Sequence, residues 1–191
     1  CYLLSFLERL AQGVLHLPEA VWVGGRPSLL ALLGYYAVLA LFCALAVQRQ
    51  KKVRRRGCLW LLGIPLAFFF LLCPAPQRME ILCMDVGQGD GIFLTDGHGS
   101  HVWIDGGSSS ESAVGTYRML PFLKYHRVTA VDVWIVTHPD ADHISGLEEL
   151  LEQGYPVHRL LLAKALSEDS TCQKLAELAK KQGTSVSYVD T

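Results

Sequence analysis

The sequence predicts an α/β domain preceded by an α-helical transmembrane hairpin, and three observations carry that expectation. An uncharged apolar run, 29–47, is joined to a second apolar run, 58–73, by a loop with six basic residues and no acid. Beyond Pro74, short strand-like runs alternate with amphipathic helical ones, the pattern of a mixed sheet covered by helices. One strand-like run, Val133-Trp134-Ile135-Val136, leads almost directly into His138-Pro139-Asp140-Ala141-Asp142-His143, which packs four metal-ligand side chains into six residues. Hydrophobic residues make up 51% of the chain and the mean hydropathy is +0.27, an excess that lies almost wholly before Pro74. The first third therefore reads as membrane-bound and the rest as soluble.

Leu3, Leu4, Phe6, Leu7, Leu10, Val14 and Leu15 recur at roughly helical spacing, with Glu8, Arg9 and Gln12 between them. That is an amphipathic helix suited to a membrane surface or to packing on neighbouring helices. A basic leader and a small-residue cleavage site are absent from this stretch, so a signal peptide fits poorly. The chain opens on Cys1 rather than Met and is expected to be a piece of a longer protein.

Leu29 to Val47 carries no charge, and at about 1.5 Å per helical residue it comes close to the ~30 Å hydrocarbon core. Cys58 to Cys73 is shorter and contains Pro65, but reaches the required length when extended through Gly57 and Pro76. A buried core hairpin is the competing reading, and too little soluble sequence surrounds the two runs to cover them. The loop 48–57 holds Arg49, Lys51, Lys52, Arg54, Arg55 and Arg56 and no acid. By the positive-inside rule it is cytoplasmic, which puts residues 77–191 on the extracytoplasmic face of a multi-pass membrane protein. A nucleic-acid patch is the other reading of such a run, and its place between two spans favours orientation.

The six cysteines do not make a disulfide framework. Cys43, Cys58 and Cys73 sit in or beside apolar runs, and nothing in the spacing argues for a Cys83–Cys172 bridge, so buried or free thiols are expected. From Gln77 onward, nine Lys and Arg face 16 Asp and Glu, a balance of −7. This excludes a simple electrostatic DNA clamp: a polyanion would need metal ions, a local basic patch or other residues to hold it.

Arg78 to Val86 reads as a strand, Gly87-Gln88-Gly89-Asp90-Gly91 as a tight turn and Ile92 to Thr95 as a returning strand. Asp96-Gly97-His98-Gly99 makes a hairpin turn into Val102-Trp103-Ile104, which ends at Asp105-Gly106-Gly107, so an antiparallel meander is expected. Residues 108–112 read as a surface loop, and 113–120 and 122–126 as helical structure around Pro121. A strand over 132–137 delivers the His/Asp motif. A helix over 145–153, a strand over 158–162, a helix over 169–182 and a strand over 185–189 follow.

Imidazole and carboxylate together suit zinc or manganese, and alternating ligands on a loop at a rigid strand end can converge on one or two ions. The plainer reading is that Asp140 and Asp142 cap a helix beginning near Ile144. Capping needs one Asp and neither histidine, so His138, Asp140, Asp142 and His143 are the candidate metal ligands.

With Met84-Asp85-Val86-Gly87-Gln88-Gly89-Asp90, then Ile104-Asp105-Gly106-Gly107, then Thr137 to His143 in that order, the chain resembles the ComEC-type DNA-internalisation competence proteins. The soluble match runs from about Met79 to the end, and the hydrophobic hairpin falls where that family has the last helices of its membrane channel domain. The resemblance implies the N-terminal half of an αββα metallo-β-lactamase-like sandwich, truncated at Thr191. It implies two divalent ions, zinc or manganese, in the intact domain. His138 and Asp140 would serve the first, Asp142 and His143 the second, and Asp142 would also orient the nucleophile as the catalytic residue. Asp85, Asp90 and Asp105 match acidic positions that support the metal loop; turn formation and capping compete for these three. His98, His101 and His126 read instead as loop or surface histidines, and His158 as an edge residue.

The function so implied is a membrane DNA-uptake channel with an extracytoplasmic phosphodiesterase, a nuclease degrading the strand that is not imported. DNA, the membrane and other competence proteins would be its partners, with an oligomer left open. Two alternatives stay beside it: a noncatalytic DNA-guiding or assembly module, and a small-molecule hydrolase of the same superfamily. Holding half of the ligand set, the 191-residue chain alone is expected to be inactive.

Overall fold

The computed structural model describes residues 2–15, 23–47, 65–66, 69 and 78–190. Helix α1, Tyr2–Leu15, presents Leu3, Leu4, Phe6, Leu7, Leu10 and Val14 exposed. The first arm of the expected hairpin is one 19-residue helix, α2, Leu29–Val47, without an acid or base in its first or last turn. On the described residues, which in α2 leave out the side chains of Phe42 and 45–47, no helix is long and apolar enough to cross a membrane. The second expected span, 58–73, and the basic loop lie outside the described residues apart from Pro65, Leu66 and Phe69.

Six strands form one sheet in chain order: β1 Met79–Cys83, β2 Gly91–Asp96, β3 His101–Asp105, β4 Val131–Val136, β5 Val157–Ala163 and β6 Ser185–Val189. The expected meander is there, since β1, β2 and β3 pair antiparallel. From β3 onward every pairing is parallel, each strand reached through a helical crossover. Those crossovers are a π-helical turn Gly115–Met119 running into α3, Leu120–Tyr125; then α4, Ala141–Glu152; then α5, Ser170–Lys181. The helical structure expected around Pro121 is there. The proline stands in the first turn of α3, directly behind the π-helical turn, whose Gly115 carbonyl accepts from the Leu120 amide.

One register row explains the core. Leu82, Phe93, Trp103, Trp134, Leu160 and Val186 are cross-strand neighbours on a single face. Onto that face pack Met119, Leu123, Leu147, Leu150, Leu151, Leu175 and Ala179 from the helices. Trp103 and Trp134 stack at its centre, ring centroids 5.1 Å apart. Cys172 is buried in this core while Cys83 is exposed on β1, and both are free.

The helix after β4 begins four residues earlier than the expected Ser145. Asp140 is extended (ψ 152°) and Ala141 opens α4, so Asp142 and His143 stand on its first turn and only His138, Pro139 and Asp140 remain in the loop. Strand β1 likewise stops at Cys83, three residues before the expected Val86, because the chain turns away into the glycine-rich loop.

Candidate metal centre

Strand β4 ends at Val136 beside the end of β3, and that parallel pairing sets Asp105 behind the His/Asp motif. Asp105 is buried, and its carboxylate accepts from the Thr137 amide (2.8 Å) and the Thr137 hydroxyl (2.8 Å to Oδ2). Its backbone is left-handed (φ 58°), and the indole Nε1 of Trp134 donates to its carbonyl at 2.7 Å. A non-glycine residue in this conformation is held by its surroundings. Here a core tryptophan and a threonine do the holding.

Four candidate ligands form two pairs. His138 Nε2 lies 3.0 Å from Asp140 Oδ2. His143 Nε2 lies 3.8 Å from Asp142 Oδ2. The two imidazoles face each other, ring centroids 4.1 Å apart. Asp140 occupies the N-cap position of α4, yet its side chain accepts no capping bond. Asp169, at the same position of α5, accepts from Thr171 N and Cys172 N. The carboxylate of Asp140 is turned to His138 instead, so the capping reading fails for it.

Nδ1 of His143 points inward, 3.1 Å from Asp105 Oδ2 and 3.9 Å from Asp90 Oδ2. The approach to Asp105 is close but poorly aligned, which leaves Nδ1 buried without a hydrogen-bonded partner. A carboxylate behind one imidazole nitrogen, with the other nitrogen turned outward, is how metal-bound histidines are oriented. The loop from Gly87 to Asp90 is pressed onto the same spot: Asp90 N donates to Asp142 O at 3.2 Å. A Cβ at Gly89 would stand 2.6 Å from that carbonyl and collide with Gly107 O, so only glycine allows the approach. Asp85 is placed elsewhere. Its exposed carboxylate meets Arg118 at 3.1 Å and accepts from the Gly87 amide at 3.3 Å.

These residues fit divalent ions in part. Two atoms bound tetrahedrally to one zinc at about 2.0 Å stand roughly 3.3 Å apart, a value that lies between the two pairs at 3.0 and 3.8 Å. Yet among the described residues no three His, Cys, Asp or Glu side chains group as a metal site. His98, His126 and His158 lie away from the motif, and His101, expected at the surface, is buried at the far end of β3. Sequence reasoning missed Thr137 and Trp134. Only the position of Thr137, directly before His138, hinted at a role.

Residues 84–165 match the metallo-beta-lactamase superfamily, a span that opens at Met84 and runs through Asp105 and His138–His143. The chain is 26% identical over 204 residues to ComE operon protein 3 of Bacillus subtilis (strain 168), across 98% of its own length. The chain is of the ComEC type. It spans about a quarter of that relative's length (26%). In this ComEC-type chain the superfamily match ends in the turn after β5, so the matched part is β2 to β5 with the glycine-rich loop before it.

Proposed function

We propose that this ComEC-type chain is a segment of a membrane DNA-uptake machine, and that residues 77–191 belong to a metal-dependent phosphodiesterase domain on the extracytoplasmic side. The observation that carries the reading is Asp140, which forgoes its helix cap to pair with His138, beside a second pair on the first turn of α4. Bound divalent ions, zinc or manganese, supply Lewis acidity toward a phosphodiester and activate water at neutral pH. His138 and Asp140 hold the first ion, and Asp142 and His143 the second. Asp105, standing behind Nδ1 of His143, would hold the ring so that Nε2 is left to ligate. Asp142, half-buried on the first turn of α4, would also orient the attacking water, and Asp90 would steady the loop beside it. In the same reading the uncharged helix α2 and the run 58–73 form the transmembrane hairpin, and loop 48–57 is cytoplasmic.

The test is metal content by elemental analysis of the full-length protein, wild type beside His138→Ala and Asp140→Ala. The expected result is about two ions per wild-type chain, the stoichiometry of a two-metal site, with loss in both variants and loss of DNA hydrolysis with them. A folded wild type without metal overturns the catalytic reading. One observation favours a second reading, a noncatalytic DNA-guiding or assembly module: two ligands per pair are fewer than a closed shell needs. In that case both variants leave DNA uptake intact.

A further inference from the structure

A cavity of about 590 Å³ opens at the end of the sheet opposite the His/Asp motif, where β1 and β3 begin and β2 ends. Its volume falls within the ~300–1,000 Å³ typical of small-ligand sites. The wall chemistry is unlike that of the surrounding acidic domain. Arg26, Arg78 and Arg127 line it, with Glu80 as the single carboxylate. Arg26 is partly committed, 3.8 Å from Glu80 and 5.8 Å above the ring of Tyr125. Arg78 and Arg127 have no ion-pair partner among the described residues. Exposed arginines without an ion-pair partner, lining one space, suit an anion with several oxygens, phosphate above all.

The cavity is built rather than incidental. Arg26 N donates to Tyr125 O at 2.9 Å, which pins the segment before α2 against the end of α3. Gly25 makes that approach at φ 67°; a Cβ there would stand 2.8 Å from the Cβ of Arg127. Arg127 itself holds a left-handed φ of 61°. The wall also contains an unsatisfied imidazole. His101 is 8% exposed and stacked on Phe93 at 5.6 Å, and its Nδ1 has no partner. Burial lowers its pKa against the pull of Asp132 and Asp96, which favours the neutral ring. A buried orphan nitrogen is tolerated as a bare acceptor more readily than as an N–H. A neutral ring with Nδ1 as the bare acceptor carries its proton on Nε2. Half-exposed Tyr125 adds an aromatic face beside the guanidinium groups, the pairing by which proteins stack a base while holding its phosphate.

We propose that this cavity binds a nucleoside monophosphate unit, with its phosphate on Arg78 and Arg127, its base against Tyr125, and the Nε2–H of His101 donating to the base edge. The unit is either a free nucleotide or one residue of a single strand. The inference rests on the wall chemistry and stands whether or not the His/Asp motif holds metal.

The test is calorimetric titration of the full chain in detergent, with EDTA present so that any divalent ion is removed. The probes are deoxythymidine monophosphate, thymidine, inorganic phosphate and an oligothymidylate without terminal phosphates. The proposal expects the monophosphate or the oligonucleotide to bind at least tenfold more tightly than phosphate or thymidine, a tenfold step being about 1.4 kcal/mol. Tighter binding of the monophosphate identifies a free nucleotide, and tighter binding of the oligonucleotide identifies a strand. Arg78→Ala combined with Arg127→Ala should weaken either ligand tenfold or more. His101→Phe keeps the stack on Phe93, and should weaken the nucleotide while leaving phosphate binding unchanged. If the double variant does not fold, Arg78→Ala alone carries the same expectation. No binding of either ligand, phosphate binding as tightly as the nucleotide, or folded variants that bind as wild type does would each overturn it.

Discussion

Asp105 joins two roles at one carboxylate: it latches Thr137 through its amide and hydroxyl, and it stands behind His143 Nδ1. Asp105→Asn keeps the shape but sets an NH2 where two donors already converge. We expect it to cost about 1–3 kcal/mol of stability in denaturant unfolding, the range for an unsatisfied buried polar group. In zinc titrations of the full-length protein it should weaken metal binding ~10–100-fold, the usual cost of losing the partner behind a ligating histidine. The buried imidazoles set the acid limit. Burial lowers the pKa of His101, and burial with help from Arg26 lowers that of His126, both from 6.5. Below pH 6.5 the unfolded chain therefore takes up protons that the folded chain refuses. Stability is full above that pH and is lost as pH falls through it. The Asp96 carboxylate accepts from the His98 and Ser100 amides, which holds it far below the usual carboxylate range, so it stays ionised throughout this window. Melting temperatures at pH 7.5 and 5.5 should differ in wild type and differ less in His101→Phe; an unchanged difference would assign the acid loss to other groups.

Between the elements, two helix starts carry the same residue with opposite uses. Asp169 caps α5, and its replacement by alanine should cost about 1 kcal/mol, as lost caps do. Asp140 makes no cap on α4. Asp140→Ala should therefore leave the melting temperature nearly unchanged while abolishing the His138 contact. Equal destabilisation by the two substitutions, read in one thermal series, would mean that Asp140 caps in solution. The periodic patterning made α4 and α5 visible in the sequence, but not which aspartate was a cap. That choice depends on whether a histidine lies within reach on the preceding loop, and loop geometry has no period.

Across the whole molecule, the sheet has a second apolar face. Ile81, Leu94, Val102 and Val133 form one cross-strand row, and Ile92, Ile104, Ile135 and Leu161 another. None of the eight belongs to the buried core, and Ile81 is 62% exposed. Alternation in β2, β3 and β4 therefore separates two apolar faces rather than an apolar from a polar one, as in a sheet meant to be covered on both sides. Ile104→Lys with Ile135→Lys should leave the melting temperature within a few degrees and reduce both hydrophobic-dye binding and self-association of the chain. Cooperative unfolding lost in that variant would show that this face is already packed in solution.

By itself the sequence determined what local order can express. Strand alternation, helical spacing and glycine turns placed every strand and α-helix from β1 to β6 to within a few residues, and missed the short 3-10 turn Lys164–Leu166. Four ligand side chains in six residues marked the strand end where chemistry would sit. The tertiary structure decided what depends on contacts between distant segments. Parallel pairing of β3 with β4 brought Asp105 to His143, 38 positions away in the chain. Packing under Phe93 buried a histidine that its turn-rich neighbourhood had marked as exposed. Residues around 25, 78, 101 and 127 met as one basic cavity. Periodicity reports which side of its own element a residue occupies, whereas a site is made where elements meet.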